Sequence, residues 1–363
     1  MAKALNNGGG EKNSLNARNS SIELLRLICL VGIVTMHING ENLKTCVGIN
    51  MVWSQLENAL FQTGVSIFVI ISGYFQIKTT FCKLAKIEIT VICYSVISST
   101  IWYFVKGGSF LSVVKAFIPI STEKYWFMTA YVILMIVAPF FNKSIEVMEK
   151  HTFEKLLLVL ISIFYVFPTV IYYHVLGDAG KGVGNFVTLY FLGAYIKKYI
   201  VPIRNNRVLI FALTTSYSVN VLLNIAISLI SGGGARSPFA RDCSVLILIE
   251  SFCIFLLFLN VKMTSNFINA ISKGAVSIYL FERTIRLLIS EYVIDLQIFS
   301  EKWYWCFINL SLAILTSIIC LIIESARRNI FDNLENGVIF KLENRVAAIF
   351  NLIRKRLEIK KST

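Results

Sequence analysis

Ile22-Glu23-Leu24-Leu25-Arg26-Leu27-Ile28-Cys29-Leu30-Val31-Gly32-Ile33-Val34-Thr35-Met36-His37 is an apolar run that carries three ionisable side chains. With its flanks it reaches the ~20 residues needed to cross a hydrocarbon core about 30 Å thick. Comparable blocks recur along the chain. Apolar windows and their polar breaks predict about ten spans, at 22–39, 58–77, 85–105, 124–141, 155–173, 184–201, 207–230, 243–261, 272–293 and 303–323. The fold class expected is therefore all-α: a polytopic transmembrane helix bundle of about ten spans. A further apolar piece, 107–120, ends at Pro119 and is too short to cross; it reads as interfacial or re-entrant.

Composition agrees with this pattern. Of the 363 residues 56% are hydrophobic and 15% charged, and the mean hydropathy is +0.69. A soluble domain of this length would carry about a quarter charged residues. The 35 Lys and Arg against 21 Asp and Glu suit basic loops retained on the cytoplasmic side of a membrane. With no basic reading module in view, nucleic acid is not expected as a partner. The eight cysteines contain no CxxC pair and fall mostly in apolar blocks, which indicates neither a metal site nor a disulfide framework. The first apolar block begins after 21 polar residues and lacks a small-residue cleavage site, so it is expected to stay as a helix rather than be removed as a signal peptide.

Counting Lys and Arg by side, with the N-terminus placed inside, gives 24 cytoplasmic against 8 on the far side. Both termini are therefore expected in the cytoplasm. Three regions follow: a polar N-terminal tail (1–20), a helical membrane region (21–323) and a basic tail (324–363). The tail intersperses Phe331, Leu334, Ile339, Val346, Ile349, Phe350 and Ile353 with charges and ends near Arg354-Lys355-Arg356, as a helix lying on an anionic leaflet would.

Ionisable residues inside spans are costly, about 2.5–3.5 kcal/mol each on insertion scales, and so mark candidate sites. Arg26 and His37 are eleven positions apart. At about 100° per residue that brings them to within roughly 20° of one another, separated by a rise near 16 Å, on one stripe of a helix. Glu23 is one turn before Arg26 and within pairing reach. The alternative is that Arg26 reaches for the interface with Glu23 as its partner while His37 sits at the opposite rim. An imidazole titrating near neutrality suits a general base for a hydroxyl. In the ninth span Glu282 and Arg286 form an i,i+4 pair that also fits a purely structural role. Glu88 and Glu250 lie near or within spans, with partners that the sequence does not reveal.

The Arg26-x10-His37 spacing, preceded by Ile22-Glu23-Leu24-Leu25, closely resembles the first-span signature of the membrane acyltransferase-3 family. The resemblance continues through Ser72-Gly73-Tyr74-Phe75, Tyr125-Trp126-Phe127 with Pro139, Tyr190-Phe191-Leu192-Gly193 and Ser277-Ile278-Tyr279-Leu280, covering about residues 18–323. It implies a ten-helix enzyme of the bacterial inner membrane. Such an enzyme takes an acyl group, usually acetyl, from cytoplasmic acyl-CoA and passes it to a hydroxyl of a surface glycan or its lipid-linked precursor.

Carried onto this chain, the resemblance makes His37 the catalytic histidine and Arg26 the matching arginine, which binds a CoA phosphate or holds the site. Lys83 and Lys86 stand where relatives often have Arg-x-x-Arg, keeping the charge without the bidentate fork. Glu23, Ser72, Trp126, Glu282 and Arg286 are expected to support the site or contact the acceptor. Many members that modify polysaccharides have His where this chain has Glu282, whereas Arg286 matches a common arginine. Acyl-CoA is the expected donor and no metal is expected. A transporter or glycan exporter using the buried charges as a path, and a non-catalytic membrane anchor, are the competing readings.

Overall fold

The structure is a computed structural model and describes residues 19–40, 45–172, 177–200, 206–294 and 297–359; the expected N-terminal tail falls, up to residue 18, outside them. The described residues form helices in the order α1 (Ser20–Asn39), α2 (Gly48–Phe61), α3 (Thr63–Phe75), α4 (Phe81–Lys106), α5 (Phe110–Lys115), α6 (Trp126–Val147) and α7 (Lys150–Val170). They continue with α8 (Val183–Tyr199), α9 (Asn206–Ile230), α10 (Val245–Asn260), α11 (Asn266–Ile271), α12 (Ala275–Tyr292), α13 (Gln297–Ser300) and α14 (Trp305–Ile359).

Among the described residues seven helical stretches are long and apolar enough to cross a membrane: α1, α2 with α3, α4, α6, α7, α9 and the α14 segment Trp305–Val346. The expected spans 184–201, 243–261 and 272–293 fall on α8, α10 and α12, of 17, 16 and 18 residues. These three are helical but lie outside that set. The second expected span starts ten residues early, at Gly48, because α2 runs almost directly into α3 through Gln62. Pro139 does not end α6, which continues to Val147; the Met135 carbonyl that the proline leaves without its helical donor accepts instead from Thr79 Oγ1 (2.5 Å). The expected basic tail follows the last apolar block with no break in the helix up to Ile359.

The seam of the bundle is α1. One of its faces, through Ile22, Leu25 and Cys29, joins a core built with Ile67–Ile71 of α3, Leu134 and Ala138 of α6, and Phe186–Leu192 of α8. The other face, through Leu30, Val34 and Ile38, joins a second core with Val91 and Tyr94 of α4, Ile278–Ile285 of α12 and Leu312–Cys320 of α14. Outer helices leave large apolar side chains uncovered instead, such as Phe211, Leu222 and Leu229 on α9 and Phe104 on α4. That pattern suits a bundle whose solvent is lipid, since burial of apolar surface does not then drive helices together.

Small residues and polar clamps supply the close packing. Gly73 of α3 meets the backbone of Tyr190, and Gly193 of α8 meets the backbone of Ile70, so that a Cβ at either would collide with a carbonyl. Two of the family-like steps thus form one reciprocal glycine contact. Both ends of α1 are fixed. Asn19 Oδ1 accepts from Ser21 N (3.1 Å), and Ser21 Oγ donates to Phe258 O (3.0 Å). At the far end the Asn39 amide donates to Glu57 Oε2 (3.2 Å) and its carbonyl oxygen accepts from Trp305 Nε1 (3.3 Å). Asn309 Nδ2 donates to the same Glu57 oxygen (2.9 Å).

Candidate functional site

With α1 unbroken from Ser20 to Asn39, Arg26 and His37 do share one stripe, and both line a cavity of about 550 Å³ enclosed by α1, α3, α6 and α12. At the Arg26 end its wall includes Ile87, Ser272, Ala275 and Val276; at the His37 end it includes Asn58, Gln62, Lys181 and Ser237. Arg26 is oriented by its own helix: Nη1 donates to Glu23 Oε1 at 3.1 Å. Ser72 also faces the cavity, its hydroxyl donating to Phe68 O (2.9 Å) and lying 3.1 Å from Tyr131 Oη.

A second cavity of about 720 Å³ adjoins the first at its His37 end. The two share Met36, His37, Trp126 and Tyr279 as lining. His37 therefore stands where two chambers meet, in the last turn of α1.

Its imidazole is held from across the bundle. Nδ1 lies 2.9 Å from Glu282 Oε1 on α12. The other oxygen, Oε2, accepts from Arg286 Nε at 2.6 Å, and Arg286 Nη1 donates to the His37 carbonyl at 3.1 Å. The ring, the carboxylate and the guanidinium thus close a loop between two helices. The Glu282 side chain is 5% exposed, so its charge is matched within the protein rather than by water. An ionised carboxylate at Nδ1 fixes the proton on that nitrogen and leaves Nε2 as the basic one. Among the described residues Nε2 has no partner, and a 43% exposed side chain gives it access to the cavities.

The i,i+4 pair read from the sequence is therefore only half of what Glu282 does. Its second partner, His37, is 245 positions away, and no local spacing predicts it. Trp126 lies at the boundary of the two cavities, packed edge-on against Phe127 and Phe186, with Lys181 Nζ 5.4 Å from its ring centre. Tyr279, one turn before Glu282, accepts from Phe127 N (3.3 Å) and completes the boundary. Tyr279 is not among the site residues expected from the sequence, although it belongs to the Ser277-Ile278-Tyr279-Leu280 stretch and stands at i,i+3 to Glu282.

Lys83 and Lys86 are not brought to this site. Both are at the start of α4, where Thr80 Oγ1 caps the helix; neither lines the two cavities. Lys83 Nζ donates to Lys78 O (2.8 Å), and Lys86 Nζ pairs with Asp332 of α14 at 3.5 Å. Glu250, whose partner the sequence does not reveal, is buried on α10, accepts from Asn220 of α9 at 3.1 Å and lines neither cavity.

Comparison with curated proteins, and with solved structures, finds no match to this chain in either. The sequence model of the acyltransferase-3 family, described as an acyltransferase domain, matches residues 19–324, from the cap of α1 into α14. That span contains Arg26, His37, Glu282 and Arg286 in one continuous match, and the chain belongs to the acyltransferase-3 family.

Proposed function

We propose that this acyltransferase is an O-acyltransferase, with His37 as general base, acyl-CoA (acetyl-CoA in the first instance) as donor and a glycan hydroxyl as acceptor. The observation that carries the reading is the position of His37: held through Nδ1 by Glu282, with Nε2 free, at the junction of two cavities. In this scheme Nε2 accepts the hydroxyl proton as the oxygen attacks the thioester carbonyl. The C–S bond breaks as the tetrahedral intermediate collapses, and the departing sulfur takes the proton back from the imidazolium. Glu282 stabilises that imidazolium and Arg286 keeps Glu282 in place, the division of labour seen whenever a carboxylate orients a catalytic histidine.

Arg26 sits at the other end of the first cavity, a helical rise of about 16 Å away, where a cation suits the donor's phosphates while the flexible arm reaches toward His37. The proposal includes the topology argued from the basic residues. It has ten spans with both termini in the cytoplasm, the Arg26 end toward the acyl-CoA pool, and residence in a bacterial cytoplasmic membrane. Lys83 and Lys86 remain candidates for an electrostatic approach path for the donor, outside the cavities that meet at His37.

The test is complementation of a deletion strain with wild type or His37→Ala, followed by O-acetyl analysis of the surface glycan. Restoration by wild type alone, with equal membrane levels of both proteins, is the expected outcome. Equal acetylation by both would remove the catalytic role. Loss of glycan export with acetylation of the remainder unchanged would favour the transporter.

A further inference from the structure

The second cavity is built for charge of one sign. Its lining carries Lys106, Lys124, Arg283 and Arg286 against a single carboxylate, Glu282. Two of those cations are matched: Lys106 pairs with Glu291, and Arg286 shares Glu282 with His37. Lys124 and Arg283 are not. Lys124 Nζ donates to Ser95 O (2.9 Å), Ser95 Oγ (3.0 Å) and Ser99 Oγ (2.7 Å), all neutral acceptors. Arg283 lies with its guanidinium carbon 5.0 Å from the centre of the Trp102 ring, and has no carboxylate partner among the described residues.

Lys124 and Arg283 are both exposed on the wall of one cavity without a carboxylate partner among the described residues, an arrangement that attracts an anion to the space between them. The remaining lining is suited to a sugar: Trp102, Tyr125 and Trp126 are flat rings, each with one face toward a cation (Arg283, Lys124 and Lys181), and Ser98, Ser109 and Ser112 offer hydroxyls. The cavity shares His37 with the chamber that reaches Arg26, so a ligand in it would present a hydroxyl to the base from the side opposite the donor.

We propose that this cavity is the acceptor site and that it selects an anionic saccharide, with Lys124 and Arg283 as the residues that contact the negative group. The inference rests on the acyl-transfer reading for the role of the cavity, but the anion selectivity stands on the cation pair itself. The negative group has two possible sources, a carboxylate on the sugar or the pyrophosphate of a lipid carrier.

Binding is measured on the full chain in lipid nanodiscs, carrying His37→Ala so that no turnover intervenes. The probes are an oligosaccharide bearing a uronic carboxylate, its carboxyl-reduced counterpart, and the same neutral sugar on a polyprenyl pyrophosphate. The expected result is binding of the acidic sugar or of the carrier-linked sugar about tenfold or more tighter than the neutral one. Which of the two is preferred identifies the source of the charge. Lys124→Gln with Arg283→Gln should erase the preference, and Lys124→Arg with Arg283→Lys should keep most of it.

Equal affinity for all three probes would overturn the proposal. So would a charge-removed variant that keeps the preference, or one that in the wild-type background weakens only the apparent affinity for acyl-CoA. Failure of acyl transfer itself is read separately, from wild-type turnover against His37→Ala.

Discussion

Glu282 Oε1 stands 2.9 Å from Nδ1 of His37, joining α12 to the last turn of α1, while Glu282 Oε2 is engaged by Arg286 at 2.6 Å. The contact gives the ring a fixed tautomer. Glu282→Gln should lower kcat by up to about 10⁴ with a much smaller effect on KM, the loss seen when the carboxylate partner of a catalytic histidine is neutralised. Steady-state kinetics with purified protein and thiol detection of released CoA would decide it. A loss within a few-fold would mean that Glu282 serves packing alone.

Arg286→Leu poses a different question, because it leaves a buried carboxylate with only the imidazole and no permanent cation. Breaking a buried pair from one side costs about 3–5 kcal/mol, so the variant should melt markedly lower in detergent than wild type. Restoring neutrality with Glu282→Gln in the same chain should recover much of that loss without recovering activity. A double variant no more stable than Arg286→Leu would contradict the closed loop of charges.

The reciprocal contact of Gly73 with Tyr190 and of Gly193 with Ile70 fixes the α3–α8 distance, and with it the wall on which Ser72 sits. Gly73→Ala and Gly193→Ala should each destabilise by about 1–3 kcal/mol through forced separation of the helices. Gly337→Ala, where nothing lies within reach of a new Cβ, should be neutral or stabilise by about 0.5–1 kcal/mol through helix propensity. Thermal unfolding of the three proteins side by side checks the contrast.

Asp242 lies in the connector between α9 and α10 and accepts from Gln62 Nε2 at 2.8 Å. Burial pushes its carboxyl up to about 6 from the usual 3.8, against the opposing pull of the Gln62 hydrogen bond and of Lys181. The folded protein therefore holds a proton that the unfolded chain has released between those two values. The resulting stabilisation is complete below about pH 4 and lost as pH rises through 6. Asp242→Asn should then be more stable than wild type near pH 7.5, by at most about 3 kcal/mol, with the difference vanishing near pH 4. Parallel stability profiles for the two proteins would show that Asp242 is ionised throughout.

Arg26→Ala should raise the KM for acyl-CoA by about tenfold or more while the His37–Glu282 geometry stays intact, since removing one charged contact to a phosphate costs roughly 1.5–3 kcal/mol. Initial rates over a range of donor concentrations, at fixed acceptor, measure it. A fall in kcat at unchanged KM would instead assign Arg26 to holding the site.

Much of the fold was legible because its cause is local. The apolar blocks report the hydrocarbon core directly, and the eleven-residue interval between Arg26 and His37 fixes their common stripe once α1 is continuous. The Glu23–Arg26 and Glu282–Arg286 pairs, at i,i+3 and i,i+4, were readable for the same reason. Boundaries were less legible. Helix ends at Gly48 and Val147 depend on packing and on connectors, and hydropathy does not encode either.

The sequence by itself determined a helical chain of apolar spans with an arginine and a histidine on one face of the first. Only the tertiary structure decided that Glu282 answers to His37 as well as to Arg286, that Lys83 and Lys86 stand apart from both cavities, and that Lys124 and Arg283 line a chamber beside His37. The physical reason is the same in each case. Spacing along a helix constrains neighbours within a turn or two, whereas a contact between α1 and α12 is set by how the intervening helices pack between two cores.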